Sequence, residues 1–391
     1  MNILLVEPEF PIPRKSKNHR DFLPIGLLKL ATYHRKRGDK VKLTRGNEYF
    51  PYFKPRQIKI TSLFTYWANY VWDSVKFYKE HYPKANIIVG GIYASLMPDH
   101  CKQSGCDKVF IGVHKHAENC KPAYDLVDVD YQIVHATRGC IRRCKFCGTW
   151  KIEPKFTYKK SIKDEICSNR IIFYDNNLLA NPYIENILEE LSRASHNGKA
   201  VYSESQCGID ARLLTQKLAN LLKKSRFINP RIAWDHEFEQ YKSIKKQLDI
   251  LVKAGYRMSD IYIFMIYNWD IPFKEMEKKR LNCWEWGVQI ADCRFRPLGQ
   301  TFDFYNTRKE QTHRDYYIHP KWTDFEVKQF RKNVRKHNIC VRQRLNFYSR
   351  TLEDKKVSKK EYRDIVKLTK KGIKKRLPDA WFPDRISMDF H

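Results

Sequence analysis

The sequence predicts an α/β protein: an N-terminal doubly wound parallel sheet, then a partial (β/α)6 TIM-like barrel, then a basic, mostly helical C-terminal region. Three observations predict it. Short apolar runs alternate with helix-periodic stretches through the first 128 residues, six further strand and helix units recur at roughly 30-residue intervals, and strand signals stop near residue 321. With 391 residues, 42% of them apolar, the chain can bury a large core and divides by this pattern into 1–128, 129–320 and 321–391.

In the first segment Ile3 to Val6 is a buried strand, and Pro24 opens a helix that places Leu27, Leu28 and Ala31 on one side, with Gly38 past its end. Val41 to Thr44 and Ile58 to Leu63 are the next strands. A helix follows with Ala68, Val71, Trp72, Val75 and Tyr78 at helical spacing; Ile87 to Val89 then runs into Gly90-Gly91, and Val109 to Ile111 closes the set. Helices between strands imply right-handed crossovers and a parallel sheet. The second series has strand-like runs at Gln132 to Ala136, Arg170 to Tyr174, Lys199 to Ser203, Pro230 to Trp234, Ile261 to Ile266 and Val288 to Cys293. Amphipathic stretches separate most of them, such as Ile184, Ile187, Leu188 and Leu191.

No apolar run reaches the roughly 18 residues of a spanning helix, and Met1 to Pro8 reads as a strand rather than a signal peptide, so a cytoplasmic location and no membrane partner are expected. Eleven irregularly spaced cysteines then suggest reduced thiols with metal or redox chemistry. The 74 Lys and Arg against 44 Asp and Glu leave a net charge of +30, a field that concentrates polyanions. Nucleic acid is the candidate partner, and solvated Lys-rich faces are the alternative. Residues 321–391 hold 21 Lys and Arg against 9 Asp and Glu, including the clusters Arg331 to Lys336 and Lys370 to Arg376.

Cys140, Cys144 and Cys147 place three thiols within eight residues, directly after the first barrel strand, at the face where barrels carry their chemistry. A cubane needs a ligand on each iron, so three cysteines leave one iron open to a substrate or cofactor. A zinc knuckle completed by His135 or Cys167 is the competing reading, although it lacks the usual second pair.

The Cys-x3-Cys-x2-Cys spacing with Phe146 before the last cysteine, preceded by Ala136-Thr137-Arg138-Gly139, resembles the signature of the radical S-adenosylmethionine (SAM) superfamily. That resemblance implies a [4Fe-4S] cluster on Cys140, Cys144 and Cys147, SAM chelated at the open iron and cleaved reductively to a 5′-deoxyadenosyl radical, and an electron donor such as flavodoxin or ferredoxin. Asp175, Asn176 and Asn177 stand where related enzymes often carry a Gly-Gly-Glu stretch that holds the SAM amino group; the glycines are absent. Glu204, Gln206 and Asp235 at later strand ends are further candidate contacts, and Arg212 or Arg231 could pair with the SAM carboxylate through a planar fork. For each singly, a cap or loop role is the alternative. Arg294 and Arg296 are candidates to clamp an anionic substrate.

The N-terminal pattern, through Leu23 to Ala31 and Val89 to Pro98, is similar to the cobalamin-binding domain that precedes the barrel in one radical SAM class. Two departures stand beside that likeness. No Asp-x-His-x-x-Gly motif is present, and the Gly-Glu-Gly-Glu stretch common in the class is here Gly112 to Glu118. Cys101, Cys106 and Cys120 do not match the spacing of a second cluster and read as buried thiols. The expected function is a radical SAM enzyme modifying an unactivated carbon, for instance by methylation, on nucleic acid. The alternatives are a cobalamin-dependent methylase of a peptide or small anionic metabolite, and a non-catalytic metal-containing nucleic-acid-binding protein.

Overall fold

The computed structural model describes residues 1–12 and 23–343. They form two compact units, one of Met1–Leu213 with Lys224–Ile228 and Arg296–Tyr317, the other of Leu214–Lys223, Asn229–Phe295 and the segment from Ile318 onward.

The first unit opens with β1 (Asn2–Glu7), α1 (Ile25–Arg35), β2 (Lys40–Arg45), β3 (Gln57–Ser62), α2 (Ala68–His81), β4 (Asn86–Gly91), α3 (Ile92–Leu96), α4 (Pro98–Lys102), β5 (Lys108–Val109) and α5 (Lys115–Glu118). The strands pair in parallel in the order β2-β1-β3-β4-β5, the doubly wound arrangement that the alternation predicts. Strand side chains alternate between faces. Leu4, Val6, Ile58, Ile60, Ile87 and Val89 meet Val71, Val75 and Tyr78 of α2 on one face, together with Tyr93, Ala94 and Cys101 of α3 and α4. On the other face Ile3 and Leu5 meet Leu27 and Ala31 of α1, with Val41 and Leu43 beside them. Both crossovers after β3 therefore pack on the first face, and only the single turn of α5 follows β5.

Next come β6 (Gln132–Val134), β7 (Thr137–Arg138), α6 (Thr149–Ile152), β8 (Thr157–Tyr158), β9 (Arg170–Phe173), α7 (Ile184–Arg193), β10 (Ser195–His196), β11 (Lys199–Ala200) and β12 (Tyr202–Ser205). β6, β9 and β12 form a parallel sheet in the order β12-β9-β6. The third strand begins later than the expected Lys199. Asn197 and Gly198 both take positive φ (49° and 73°), so they fold β10 and β11 into a tight antiparallel hairpin, which consumes Lys199 and Ala200.

In the second unit α8 (Gln216–Lys224, all but its last residue), β13 (Arg231–Ala233), α9 (Tyr241–Lys253), β14 (Tyr262–Tyr267), α10 (Phe273–Trp286), β15 (Gln289–Arg294) and α11 (Asp324–Gln343) follow, with β13, β14 and β15 parallel and in register. α10 stops at Gly287, whose φ of 71° is the left-handed cap that glycine supplies without strain. α11 begins at a reciprocal cap: the Glu326 N–H donates to Thr323 Oγ1 at 3.2 Å and the Thr323 N–H to Glu326 Oε2 at 2.8 Å. The helical expectation for the basic region thus holds through residue 343, whereas the Lys370 to Arg376 cluster lies outside the described residues. No helix among the described residues is long and apolar enough to cross a membrane.

Candidate cluster and cofactor site

The three cysteines stand on the loop between β7 and β8, two-residue strands that pair antiparallel and close the loop at its neck. Gly139 begins the loop at φ +73°, and a Cβ there would stand 2.4 Å from the Lys155 carbonyl oxygen, so only glycine lets the two arms approach. Cys140, Cys144 and Cys147 are all half-buried. The loop is held from inside. The Arg142 N–H donates to Cys140 Sγ at 3.3 Å, the Cys147 N–H to the Cys144 carbonyl at 3.1 Å, and Trp150 Nε1 to the same carbonyl at 3.3 Å.

Strand ends then fix the loop from below. Asp175, fully buried after β9, accepts from the Ala136 N–H at 3.2 Å, from Thr137 Oγ1 at 2.7 Å and from the Thr137 N–H. Burial pushes its carboxyl up to about 6, against those hydrogen bonds, so it serves as an anchor. Asn176 Oδ1 lies 3.1 Å from Thr149 Oγ1, which lies 3.2 Å from Cys147 Sγ. Asn177 is buried and directs Nδ2 toward Cys140 Sγ (3.8 Å) and Asp210 Oδ2 (3.4 Å). A carboxylate only accepts, so the amide nitrogen must face Asp210 and the oxygen must point the other way. That oxygen, Asn177 Oδ1, is buried with no hydrogen-bond partner among the described residues.

Asp210 in turn binds Arg142 Nε (3.0 Å) and a fork of Arg212 (Nε 2.6 Å, Nη2 3.0 Å). Burial raises its carboxyl, but the two guanidinium groups outweigh burial and hold it below the usual carboxylate range. The expected set of Asp175, Asn176, Asn177 and Arg212 is thus brought to the cysteine loop, with the Arg212 fork on Asp210. Arg142 and Thr149 were not singled out from the sequence; their one signal is position, inside and just after the cysteine run.

The other expected residues are placed differently. Glu204 is buried and pairs with Arg170 at 3.4 Å, while Gln206 stands half-buried just past β12. Arg296 binds Asp303 at 2.6 Å and lies 4.5 Å over the Tyr66 ring. In the second unit Arg231 is the first residue of β13, 5.6 Å over the Tyr262 ring, Asp235 is half-buried just past that strand, and Arg294 is buried at the end of β15. Cys167 precedes β9, at the end where the parallel strands begin, so the strand separates it from the cysteine loop. His135 is buried, and desolvation together with Arg138, Lys29 and Lys159 holds it far below its ordinary pKa. Among the described residues no group of three or more His, Cys, Asp or Glu side chains is placed to hold a single metal ion.

Beside the neck lies a cavity of about 400 Å3, bordered by Gly26, Gly90, Gly91 and Gly112 of the N-terminal sheet region and by Arg138 and Glu153 of the cysteine loop. Its acids are spoken for: Glu118 pairs with Lys29 at 2.8 Å, and Glu153 with Arg138 at 2.6 Å and with the Gly139 N–H at 2.7 Å. Gly91 has a structural cause, since at φ +106° a Cβ would meet the Ser62 carbonyl oxygen at 2.2 Å. Gly26 has none, as no atom lies within 4 Å of the position its Cβ would take.

No protein-family model matches the chain, and no curated protein does. Solved structures that share its fold include the following two. The radical S-adenosylmethionine methyltransferase TsrM from Kitasatospora setae, with cobalamin and [4Fe-4S] cluster bound, is similar at TM-score 0.59 and 12% identity, over 77% of this chain and 77% of that one. TsrM with tryptophan substrate and the SAM analog aza-SAM is similar at TM-score 0.59 and 12% identity, over 77% and 75%.

Proposed function

We propose that this chain is a cobalamin-dependent radical SAM methyltransferase, with a [4Fe-4S] cluster on Cys140, Cys144 and Cys147. The observation that carries the reading is Asn177: a buried amide oxygen without a partner, fixed in orientation by Asp210, beside the Sγ of the first cysteine. A buried acceptor left unpaired costs roughly 1–3 kcal/mol, so a donor belongs there, and the amino group of SAM is one. When bound, the cluster supplies the electron for opening SAM and cobalamin supplies the methyl carrier. The protein's part is positional. Asp175 holds the loop entry, Arg142 and Asp210 orient Asn177, Thr149 and Asn176 support Cys147, and the glycine-bordered cavity beside the neck offers open backbone against which part of a corrinoid would rest. A flavodoxin- or ferredoxin-type donor supplies the electron.

Asn177→Ala tests this reading: cluster content is retained while SAM affinity falls about tenfold, the worth of one hydrogen bond to a charged group. Unchanged SAM affinity with full cluster content overturns the role of Asn177. The proposed substrate is nucleic acid, and its support is the net charge of +30. A binding constant for a polynucleotide that falls steeply with salt checks that part. A flat salt response turns the assignment to a peptide or small anionic metabolite.

A further inference from the structure

Residues 141–163, which run through the cysteine loop and its neck, hold eight Lys and Arg against a single acid, Glu153. That acid is taken by Arg138 and by the Gly139 N–H. Two of the eight cations are also matched, Arg142 to Asp210 and Lys159 to Glu165. The other six, Arg143, Lys145, Lys151, Lys155, Lys160 and Lys163, are exposed and form no ion pair among the described residues. Cations gathered at this density on one segment attract a polyanion.

Aromatic rings are interleaved with these lysines. Register pairs Tyr158 on β8 with Thr137 on β7, three residues before Cys140. Tyr158 is 48% exposed, and its ring centroid lies 6.2 Å from that of Phe156 and 5.9 Å from that of Tyr183, the 37% exposed residue just before α7. Lys160 Nζ stands 5.5 Å over the Tyr183 ring. Rings left open to water and rimmed by cations mark an interaction surface. The strip is held from behind. Asn181 Nδ2 donates to the Ala136 carbonyl at 3.1 Å and to the Lys159 carbonyl at 3.0 Å, Asn186 Nδ2 to the Lys160 carbonyl at 2.8 Å, and the Ile162 N–H to Glu190 Oε2 at 3.2 Å. The start of α7 therefore fixes the backbone of the strip. Exposed rings stack on bases that are not stacked on one another, while lysines beside them reach the phosphates, a combination that holds a single strand rather than a duplex. An acidic protein would use the lysines and leave the rings idle.

We propose that this strip seats single-stranded nucleic acid beside the cysteine loop, with Phe156, Tyr158 and Tyr183 stacked on bases and Lys155, Lys160 and Lys163 on phosphates. The inference rests on the nucleic-acid part of the proposed function and gives it a place and a strand form. Its test is the fluorescence anisotropy of a labelled oligoribonucleotide of mixed sequence, single-stranded or paired with its complement, titrated with the full chain carrying its reconstituted cluster. The wild type should bind the single strand about tenfold more tightly than the duplex. Tyr158→Ala with Tyr183→Ala should lower single-strand affinity about tenfold or more, and Tyr158→Phe with Tyr183→Phe should keep it, which guards against loss through misfolding. Lys155→Gln, Lys160→Gln and Lys163→Gln together should flatten the slope of log affinity against log salt by about 2, at roughly 0.7 per phosphate contact. The triple variant Lys242→Gln, Lys246→Gln, Lys253→Gln, which removes the same charge from exposed positions on α9, should leave affinity and slope nearly unchanged. Alanine variants that bind as the wild type does, equal affinity for strand and duplex, or equal losses from the two lysine triplets overturn this surface and leave the nucleic-acid reading standing. Displacement of the strand by polyglutamate as readily as by unlabelled RNA overturns it in favour of an acidic protein. A wild type that binds neither strand nor duplex overturns both.

Discussion

The cysteine loop and the open half of the N-terminal sheet lie in the same compact unit, yet they are built by opposite means. The loop is made by addition. A neck of paired strands, a buried carboxylate with three donors, and a chain of contacts through Asn176, Thr149, Asn177, Asp210 and Arg142 fix it from several sides. The cavity is made by omission: among the described residues no long helix covers β4 and β5 on that side, and Gly26 withholds a side chain where nothing else stands. A loop made by addition announces itself in sequence through its closely spaced cysteines and polar residues. A cavity made by omission does not, because what defines it is which face the crossover helices choose.

The largest effect expected of these contacts is at Asp175. Replacing it with Ala leaves the Ala136 and Thr137 donors buried and unpaired and should cost about 3 kcal/mol of stability, read by denaturant unfolding, with cluster retention falling in parallel. Its titration gives a sharper check. The folded carboxyl sits at about 6, above its ordinary 3.8, so the folded state binds the proton more tightly; that stability is complete below pH 3.8 and is lost as pH rises through about 6. The melting-temperature difference between wild type and Asp175→Asn should shift against the wild type across that window. A difference constant from pH 4 to pH 7 would show that Asp175 does not titrate there.

The two glycines sharpen the contrast between the regions at smaller cost. Gly91→Ala drives a Cβ into the Ser62 carbonyl in a left-handed conformation and should destabilise the sheet by about 2 kcal/mol. Gly26→Ala meets no atom and stands in the first turn of α1, so stability should hold or rise by up to about 1 kcal/mol, while hydroxocobalamin affinity falls. Loss of stability in Gly26→Ala, or unchanged corrinoid binding, would remove the case that the cavity is kept open for a ligand.

Most of the fold was legible because apolar periodicity reports burial, and burial decides helix and strand. The five strands of the first sheet and five of the six later strands expected begin within two residues of their expected starts, while the two-residue strands β7, β8, β10 and β11 carry too short a pattern to be read. The exception, β12, is displaced by Asn197-Gly198, a local turn signal that outweighs a weak strand pattern. In the candidate site, the cysteine run and Asp175 to Asn177 were legible as residues past strand ends, and they stand together in the fold. Charged candidates were less so, since a sequence does not say where a charge finds its partner. Glu204 pairs with Arg170, 34 residues earlier, and Arg296 with Asp303, while Asp210 gathers both Arg142 and Arg212.

The central claim is that three cysteines seat a cubane with one iron open to SAM. Electron paramagnetic resonance of the anaerobically reconstituted, reduced protein, recorded with and without SAM beside an iron and sulfide count, tests it most directly. The account predicts about four irons and four sulfides per chain, a signal that changes on adding SAM, and loss of both in Cys144→Ala. One zinc per chain without sulfide, or a cluster signal indifferent to SAM, would contradict it.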